Sequence, residues 1–329
     1  MNNDNLIIRK SEFNNLNIYK EIFSLCFHLD VTESYFEWKF LKNPSGKAIA
    51  FEAYDIQKNR VAAFYGVIPE DYIINNKREI IYQSMDTMTH PEYRKKGLFV
   101  KLANITYEYV SSLNNGAVFF GIGGPNSMHG FINNLKWNNP IQIRYTFIPN
   151  LVLKYLLFPT KINIICKEID EFNNESEMFL STYNNINTII YKYLDSNILN
   201  WRFSDNKIKS YKKYNIFLDN SCVGIAILEF DNIKKLIRII LYKDSDLSGK
   251  IQRQFLKYIS KNYIDYTLYT WSDPNLIYKT NKKYFLKNPF KTGYFSYRVP
   301  FITLSKGNTN YTELIKECKN FDLYPGIQD

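Results

Sequence analysis

The chain repeats itself. Tyr35-Phe36-Glu37-Trp38-Lys39-Phe40 returns in the second half as Ile198-Leu199-Asn200-Trp201-Arg202-Phe203, and Val61-Ala62-Ala63-Phe64 returns at nearly the same offset as Val223-Gly224-Ile225-Ala226. Pro125-Asn126 and Asn139-Pro140 are mirrored, at the same internal spacing, by Pro274-Asn275 and Asn288-Pro289. Landmarks that keep their spacing twice imply one supersecondary plan used twice. With 329 residues the chain has room for two domains of ordinary size, expected at 1–150 and 151–329. The boundary is set near Pro149 to Lys161, where a strand-like end meets the apolar run Leu151 to Phe158 and Pro159.

Within the first copy, Leu6 to Lys10 reads as a strand, and the apolar spacing from Asn15 to His28 as a helix packing one face on a sheet. Tyr35 to Phe40 is a short second helix ended by Asn43-Pro44-Ser45-Gly46. Ala48 to Asp55, Arg60 to Pro69, Tyr72 to Ile74 and Glu79 to Thr89 read as strands, with turns at Gln57-Lys58-Asn59 and Asn75-Asn76-Lys77. The order predicts an α/β fold of the α+β kind: in each domain a mixed, mostly antiparallel twisted sheet flanked by helices.

The stretch from Ile80 to Leu102 carries the chemistry. A strand runs into the turn Arg94-Lys95-Lys96-Gly97, and an amphipathic helix follows, with Leu98, Leu102, Ile105 and Tyr109 at helical spacing. Backbone N–H groups of such a turn, set at a helix N-terminus and surrounded by cationic side chains, make a pocket for phosphate. Downstream, the apolar strand Ala117 to Ile122 ends in Gly123-Gly124-Pro125-Asn126, and a segment with Phe131 and Leu135 closes at Lys136-Trp137.

Thr89-His90-Pro91-Glu92-Tyr93-Arg94-Lys95-Lys96-Gly97-Leu98-Phe99 resembles the acyl-CoA-binding motif of the GNAT superfamily of acetyl-CoA-dependent N-acetyltransferases, Arg/Gln-x-x-Gly-x-Gly/Ala. Arg94 and Gly97 match it; Phe99 stands where the family usually has Gly or Ala. The resemblance implies two tandem GNAT-like domains with acetyl-CoA as co-substrate. It implies that the main chain of Thr87, Met88 and Thr89 pairs with the pantetheine arm, that the turn from Arg94 through Lys95, Lys96, Gly97 and Leu98 to Phe99 holds the pyrophosphate, and that Asn126 lies beside the coenzyme. The family's tyrosine acid has no counterpart, because Ile132 occupies its place. Acyl transfer also needs a base for the amine. Asp86 is the nearest acidic group to the strand end, and its alternative reading is a carboxylate bonded to a neighbouring turn. His129, three residues after Asn126, is a candidate proton donor to the departing thiolate or else a half-exposed structural histidine. His90 reads as a turn residue, and Glu92 and Tyr93 as solvent-facing candidates. The second copy offers Asp246-Leu247-Ser248-Gly249-Lys250 where the basic turn should be, and an acidic residue there repels a pyrophosphate. That copy is expected to be degenerate. Its Trp271, Tyr278, Tyr284, Tyr294 and Tyr297 read as core or as a ring-binding face.

Composition narrows the rest. With 45% hydrophobic and 17% aromatic residues the chain can fill two cores, which excludes a disordered segment. Cys26, Cys166, Cys222 and Cys318 show no C-x-x-C spacing, so neither zinc nor a disulfide framework is expected and a reducing, cytoplasmic setting fits. The net charge of +10 is spread along the chain, consistent with solvated surface lysine or with an anionic ligand, and no DNA partner is expected. The opening Met1 to Lys10 has no signal-peptide pattern, and no apolar run reaches the roughly 20 residues of a spanning helix. The reaction expected is transfer of an acetyl or other short acyl group to a primary amine, with an amino sugar as one acceptor class by analogy with relatives among surface-polysaccharide enzymes. Two alternatives stand beside it: an aminoacyl-tRNA-dependent transferase of the tandem GNAT-like type, and a non-catalytic binding module.

Overall fold

The structure is a computed structural model. It describes residues 5–114, 116–121, 125–157, 161–183, 190–206, 208–246, 248–271, 286–287 and 296–304. The chain divides into two compact units, one holding Met1–Ile141 and taking in the chain again from Arg298, the other holding Gln142–Asp205 and Lys209–Tyr297.

In the first unit β1 (Leu6–Lys10), α1 (Ile18–Phe27) and α2 (Glu33–Phe36), which runs into a π-helical turn (Glu37–Leu41), precede β2 (Ile49–Asp55), β3 (Arg60–Ile74) and β4 (Lys77–Thr89). A 3-10 turn (Pro91–Tyr93), α3 (Leu98–Asn114), β5 (Ala117–Gly121) and α4 (Pro125–His129), continued by a second π-helical turn (Gly130–Asn134), follow. The sheet order is β1-β2-β3-β4-β5. All neighbours are antiparallel except β4 and β5, which the α3 crossover makes parallel. Alternation along β3 explains why both faces are covered. Phe64 stacks with Phe40 and meets Tyr19 edge-on beneath α1 and α2, while the next residue, Tyr65, packs on the opposite face with Phe99 and Tyr107 of α3.

Where two strands are expected from Arg60 to Ile74, β3 is continuous through Pro69. Its pairing with β2 ends at Val67, so Pro69 removes no ladder hydrogen bond to β2. The Pro69 carbonyl on that edge accepts instead from buried Asn43 Nδ2 at 2.8 Å. Asn75 and Asn76, with φ of 49° and 62°, form the tight hairpin turn to β4.

The second unit repeats the plan. β6 (Asn138–Pro149), α5 (Asn150–Leu156), β7 (Ile165–Ile169), α6 (Asn174–Tyr183), β8 (Ile190–Lys192) and α7 (Ser196–Phe203) lead to β9 (Lys212–Leu218), β10 (Ser221–Asp231), β11 (Leu236–Asp244), α8 (Lys250–Asn262) and β12 (Thr267–Trp271). The strand order is β6-β12-β11-β10-β9-β7, and β11 and β12 are again the parallel pair joined by a crossover helix. Ala226 and Leu228 pack on the α8 side, Ile225 and Ile227 on the α6 and α7 side. Two short strands, β13 (Leu286–Lys287) and β14 (Ser296–Leu304), end the described chain. β14 runs antiparallel to β5, with Phe301 opposite Phe120, while β6 is the antiparallel neighbour of β12. The aromatic residues expected as a possible ring-binding face, Tyr278, Tyr284 and Tyr294, and the landmarks Pro274-Asn275 and Asn288-Pro289, lie outside the described residues, as do the side chains of Trp271 and Tyr297. No described helix is long and apolar enough to cross a membrane.

Burial pushes the Asp244 carboxyl up to about 6, against hydrogen bonds from the Tyr242 hydroxyl and the Asp246 N–H. An unfolded aspartate titrates near ~4, so the folded state binds this proton more tightly. The group therefore favours folding fully below ~4, and that contribution is lost as pH rises towards 6. Asp244→Asn is expected to raise stability at neutral pH by about 2–3 kcal/mol and to flatten the fall between those pH values. Denaturant melts of both proteins at acid and neutral pH check it.

Candidate active site at the end of β4

β4 touches β5 only at Tyr82, Gln83 and Ser84 among the described residues, while its pairing with β3 continues to Thr89. Gly121, the partner of Ser84, is the last described residue of β5. His90 N–H donates to Ala62 O at 3.0 Å, so by the alternation of the strand Met88 also faces β3, and Thr87 and Thr89 turn their backbone groups away from β3. The Met88 side chain is buried, whereas those of Thr87 and Thr89 are half-buried. A bulge interrupts the register between Phe64 and Gly66, and opposite it Asp86 takes a left-handed φ of 45°.

The turn that follows is built from its own side chains. His90 is buried, and its Nδ1 accepts from Glu92 N–H at 3.3 Å, capping the 3-10 turn that Pro91 opens. Tyr93, expected at the surface, is instead buried: its hydroxyl donates to Asp55 Oδ2 at 2.5 Å, and burial and the Asp55 charge push it up to about 12. Glu92 is exposed and paired with Lys58. Arg94 Nε donates to the Thr89 carbonyl at 3.3 Å, tying the turn to the end of β4. Lys95 and Gly97 take left-handed φ of 64° and 71° just before α3, the kind of turn in which successive N–H groups can face one anion. Arg94, Lys95, Lys96 and Gly97 are all exposed. A Cβ on Gly97 would meet nothing within 4 Å, so glycine is required there by backbone conformation and not by space. Leu98 is buried in the core. Phe99 turns away from the turn onto Phe131 and Gly130, where an added Cβ would come within 2.6 Å of its ring.

Asp86 is held by a side chain of the π-helical turn after α2. Its Oδ1 accepts from Lys39 Nζ at 2.8 Å, and Lys39 also reaches Tyr35 Oη at 3.0 Å. The side chains of Lys39 and Asp86 are only 14% and 9% exposed, so this is a largely buried ion pair. Burial pulls the Lys39 ammonium down, but the Asp86 and Tyr35 charges and hydrogen bonds outweigh it, and the group ends well above the usual lysine range. Burial, ahead of every opposing effect, raises Tyr35. Asp86 Oδ2 is buried with no hydrogen-bond partner among the described residues. Lys39 is the site residue that sequence reasoning missed. The one available signal was a basic residue recurring among apolar neighbours in Trp38-Lys39-Phe40 and Trp201-Arg202-Phe203.

His129 ends α4 and is exposed, and among the described residues it makes no hydrogen bond or ion pair with Asp86. Asn126 sits on the same helix, and its side chain is outside the described residues. Among the described residues no group of His, Cys, Asp and Glu could hold a metal ion.

No protein-family model and no curated protein matches the sequence. Solved structures do. A probable N-acyltransferase from Enterococcus faecalis V583 superposes with a TM-score of 0.67 at 9% identity, covering 89% of this chain and 71% of that one. A GCN5-related N-acetyltransferase from Anabaena variabilis gives 0.65 at 13% identity, with 90% and 72% covered. The chain has the GNAT fold, in tandem. Saccharomyces cerevisiae N-myristoyltransferase with bound myristoyl-CoA is also similar, with a TM-score of 0.56 at 12% identity over 91% of this chain and 82% of that one.

The second GNAT-like copy shows what became of the same two features. Gly249, at φ 73°, precedes α8 as Gly97 precedes α3. There the Asp246 carboxylate fills the convergent N–H groups itself, accepting from Ser248 N at 2.8 Å, Lys250 N at 2.6 Å and Ile251 N at 3.2 Å. Partial burial raises the Asp246 carboxyl, but these bonds outweigh it and hold the group below the usual range. The acidic turn therefore does more than repel an anion, because it supplies one. At the corresponding bulge of β11, between the pairs Ile227–Leu241 and Leu228–Ile239, the residue is buried Ile240 and not a carboxylate. Asp246→Ala removes the carboxylate that accepts from the first N–H groups of α8 and is expected to cost about 1–2 kcal/mol, read from the urea midpoint.

Proposed function

We propose that the first unit transfers an acyl group from acyl-CoA to a primary amine. The observation that carries this reading is the end of β4 beside the basic turn, where Thr87 and Thr89 turn their backbone groups to the edge of the strand away from β3 and the exposed turn takes two left-handed φ angles just before α3. An extended amide-bearing arm can add to such an edge as a strand does, and a pyrophosphate fits amides held at a helix N-terminus. Arg94, Lys95, Lys96, Gly97, Leu98 and Phe99 would hold the pyrophosphate through backbone N–H groups, with the cationic side chains adding field. Thr87, Met88 and Thr89 would dock the pantetheine arm, and Asn126 would flank it. Asp86 is the group that receives the amine. The amine nitrogen bonds to the thioester carbonyl carbon, the carbon–sulfur bond breaks, and the nitrogen's proton passes to Asp86 or through water to solvent. His129 is assigned the proton that the thiolate takes up.

The similar structures support acyl transfer as a class, and the one holding myristoyl-CoA supports a CoA thioester as donor. The second unit, with its cradle filled by Asp246, serves as scaffold. The test is thiol release from acetyl-CoA and from myristoyl-CoA against amino sugars, amino acids and polyamines, with an Arg94→Glu control. Release that needs an amine and falls in the control supports the reading. Equal release from both proteins overturns the site assignment.

A further inference from the structure

We infer that Lys39 is a positioning residue for the acceptor: held by Tyr35 Oη, it clamps Asp86 Oδ1 so that Oδ2 is left to take an N–H of the incoming primary ammonium. The inference rests on the transferase reading above and gives it an acceptor chemistry. Three observations carry it. Asp86 sits on the bulge with φ of 45°, a conformation that a non-glycine residue keeps only when its surroundings hold it. Lys39 supplies that hold from the π-helical turn after α2, at 2.8 Å, and is itself fixed by Tyr35 at 3.0 Å. Asp86 Oδ2, on a side chain 91% buried, lacks a donor among the described residues. A buried carboxylate oxygen without a donor is costly, and native interiors supply such donors from protein, water or ligand.

The second copy sharpens the assignment. It keeps a cation at the equivalent place, Arg202, yet carries Ile240 at the bulge, so the cation alone is compatible with a scaffold while the carboxylate belongs to the copy with the open cradle. With Lys39 retaining one oxygen, the other accepts a single short contact. That favours a compact ammonium over a guanidinium, whose fork engages both oxygens.

The test uses the full chain with acetyl-CoA and glucosamine, with ethylamine as a smaller second probe. Lys39→Met is expected to raise the KM for the amine about 10-fold or more and to lower kcat, while the KM for acetyl-CoA stays within about twofold. Lys39→Arg keeps a cation on Asp86 but its fork can engage both oxygens, so it is expected to keep the melting temperature and still to raise the amine KM. Tyr35→Phe keeps the ring and frees Lys39 from one contact, and it is expected to raise the amine KM about threefold, so the inference can still be tested should Lys39→Met fail to fold. A Lys39→Met protein that melts earlier but keeps its amine KM and kcat overturns the inference and leaves the transferase reading standing. Equal losses in both KM values overturn it as well. Wild-type protein that binds acetyl-CoA and releases no thiol with any primary amine overturns the transferase reading, and the role of Lys39 with it.

Discussion

Asp86→Asn lowers amine-dependent thiol release by about 10²-fold or more while acyl-CoA binding holds, because the substitution keeps the shape of the side chain and removes its capacity to accept a proton. It also strands Lys39. The ammonium is largely buried and loses its counter-charge, and breaking such a pair from one side costs about 3–5 kcal/mol. The catalytic and structural effects therefore arrive together and must be separated. In the double variant Lys39→Met/Asp86→Asn no charge is left buried, so most of the stability returns and the activity does not. Thermal melts and single-turnover thiol release on the two single variants and the double variant read both quantities. Recovery of activity along with stability would show that Asp86 acts only as a structural partner.

Gly97→Val weakens acyl-CoA binding about 10²-fold. A β-branched residue at φ of 71° costs of the order of 1–2 kcal/mol in the left-handed region, and the turn relieves this by rotating its own N–H groups. Nothing lies within 4 Å of the added Cβ, so the core is not disturbed and the melting temperature moves little. Arg94→Glu acts on the same site by another route. It reverses a charge and breaks the tie to the Thr89 carbonyl, and a loss of about 30- to 100-fold follows from one charge-assisted contact turned repulsive. Equilibrium titration with acetyl-CoA compares the two, with circular dichroism as the folding control.

What could be read from the sequence is what local pattern controls. β1 falls where alternation placed it, from Leu6 to Lys10, and Asn75-Asn76 and Gly97 take the positive φ angles that such residues tolerate. The repeat of Trp38-Lys39-Phe40 as Trp201-Arg202-Phe203 announced the tandem fold. What could not be read depends on partners distant in the chain. Lys39 meets Asp86 across a separation of 47 residues, and Tyr93 is drawn inside by Asp55 across 38. Neither pairing leaves a local signature. Pro69 reads as a break because local rules cannot know that β2 has already ended there. Asp246 was legible as a charge of the wrong sign, but its capture of three backbone N–H groups required the geometry of the turn. The pairing of β14 with β5 follows no pattern in either segment.

On the proposed reading one open cradle in the first unit, and not its filled counterpart in the second, binds the coenzyme. Isothermal titration of acetyl-CoA into wild type, Gly97→Val and Asp246→Ala measures it directly. One coenzyme per chain, lost in Gly97→Val and unchanged in Asp246→Ala, is the expected result. Two per chain, or full binding retained in Gly97→Val, would contradict it.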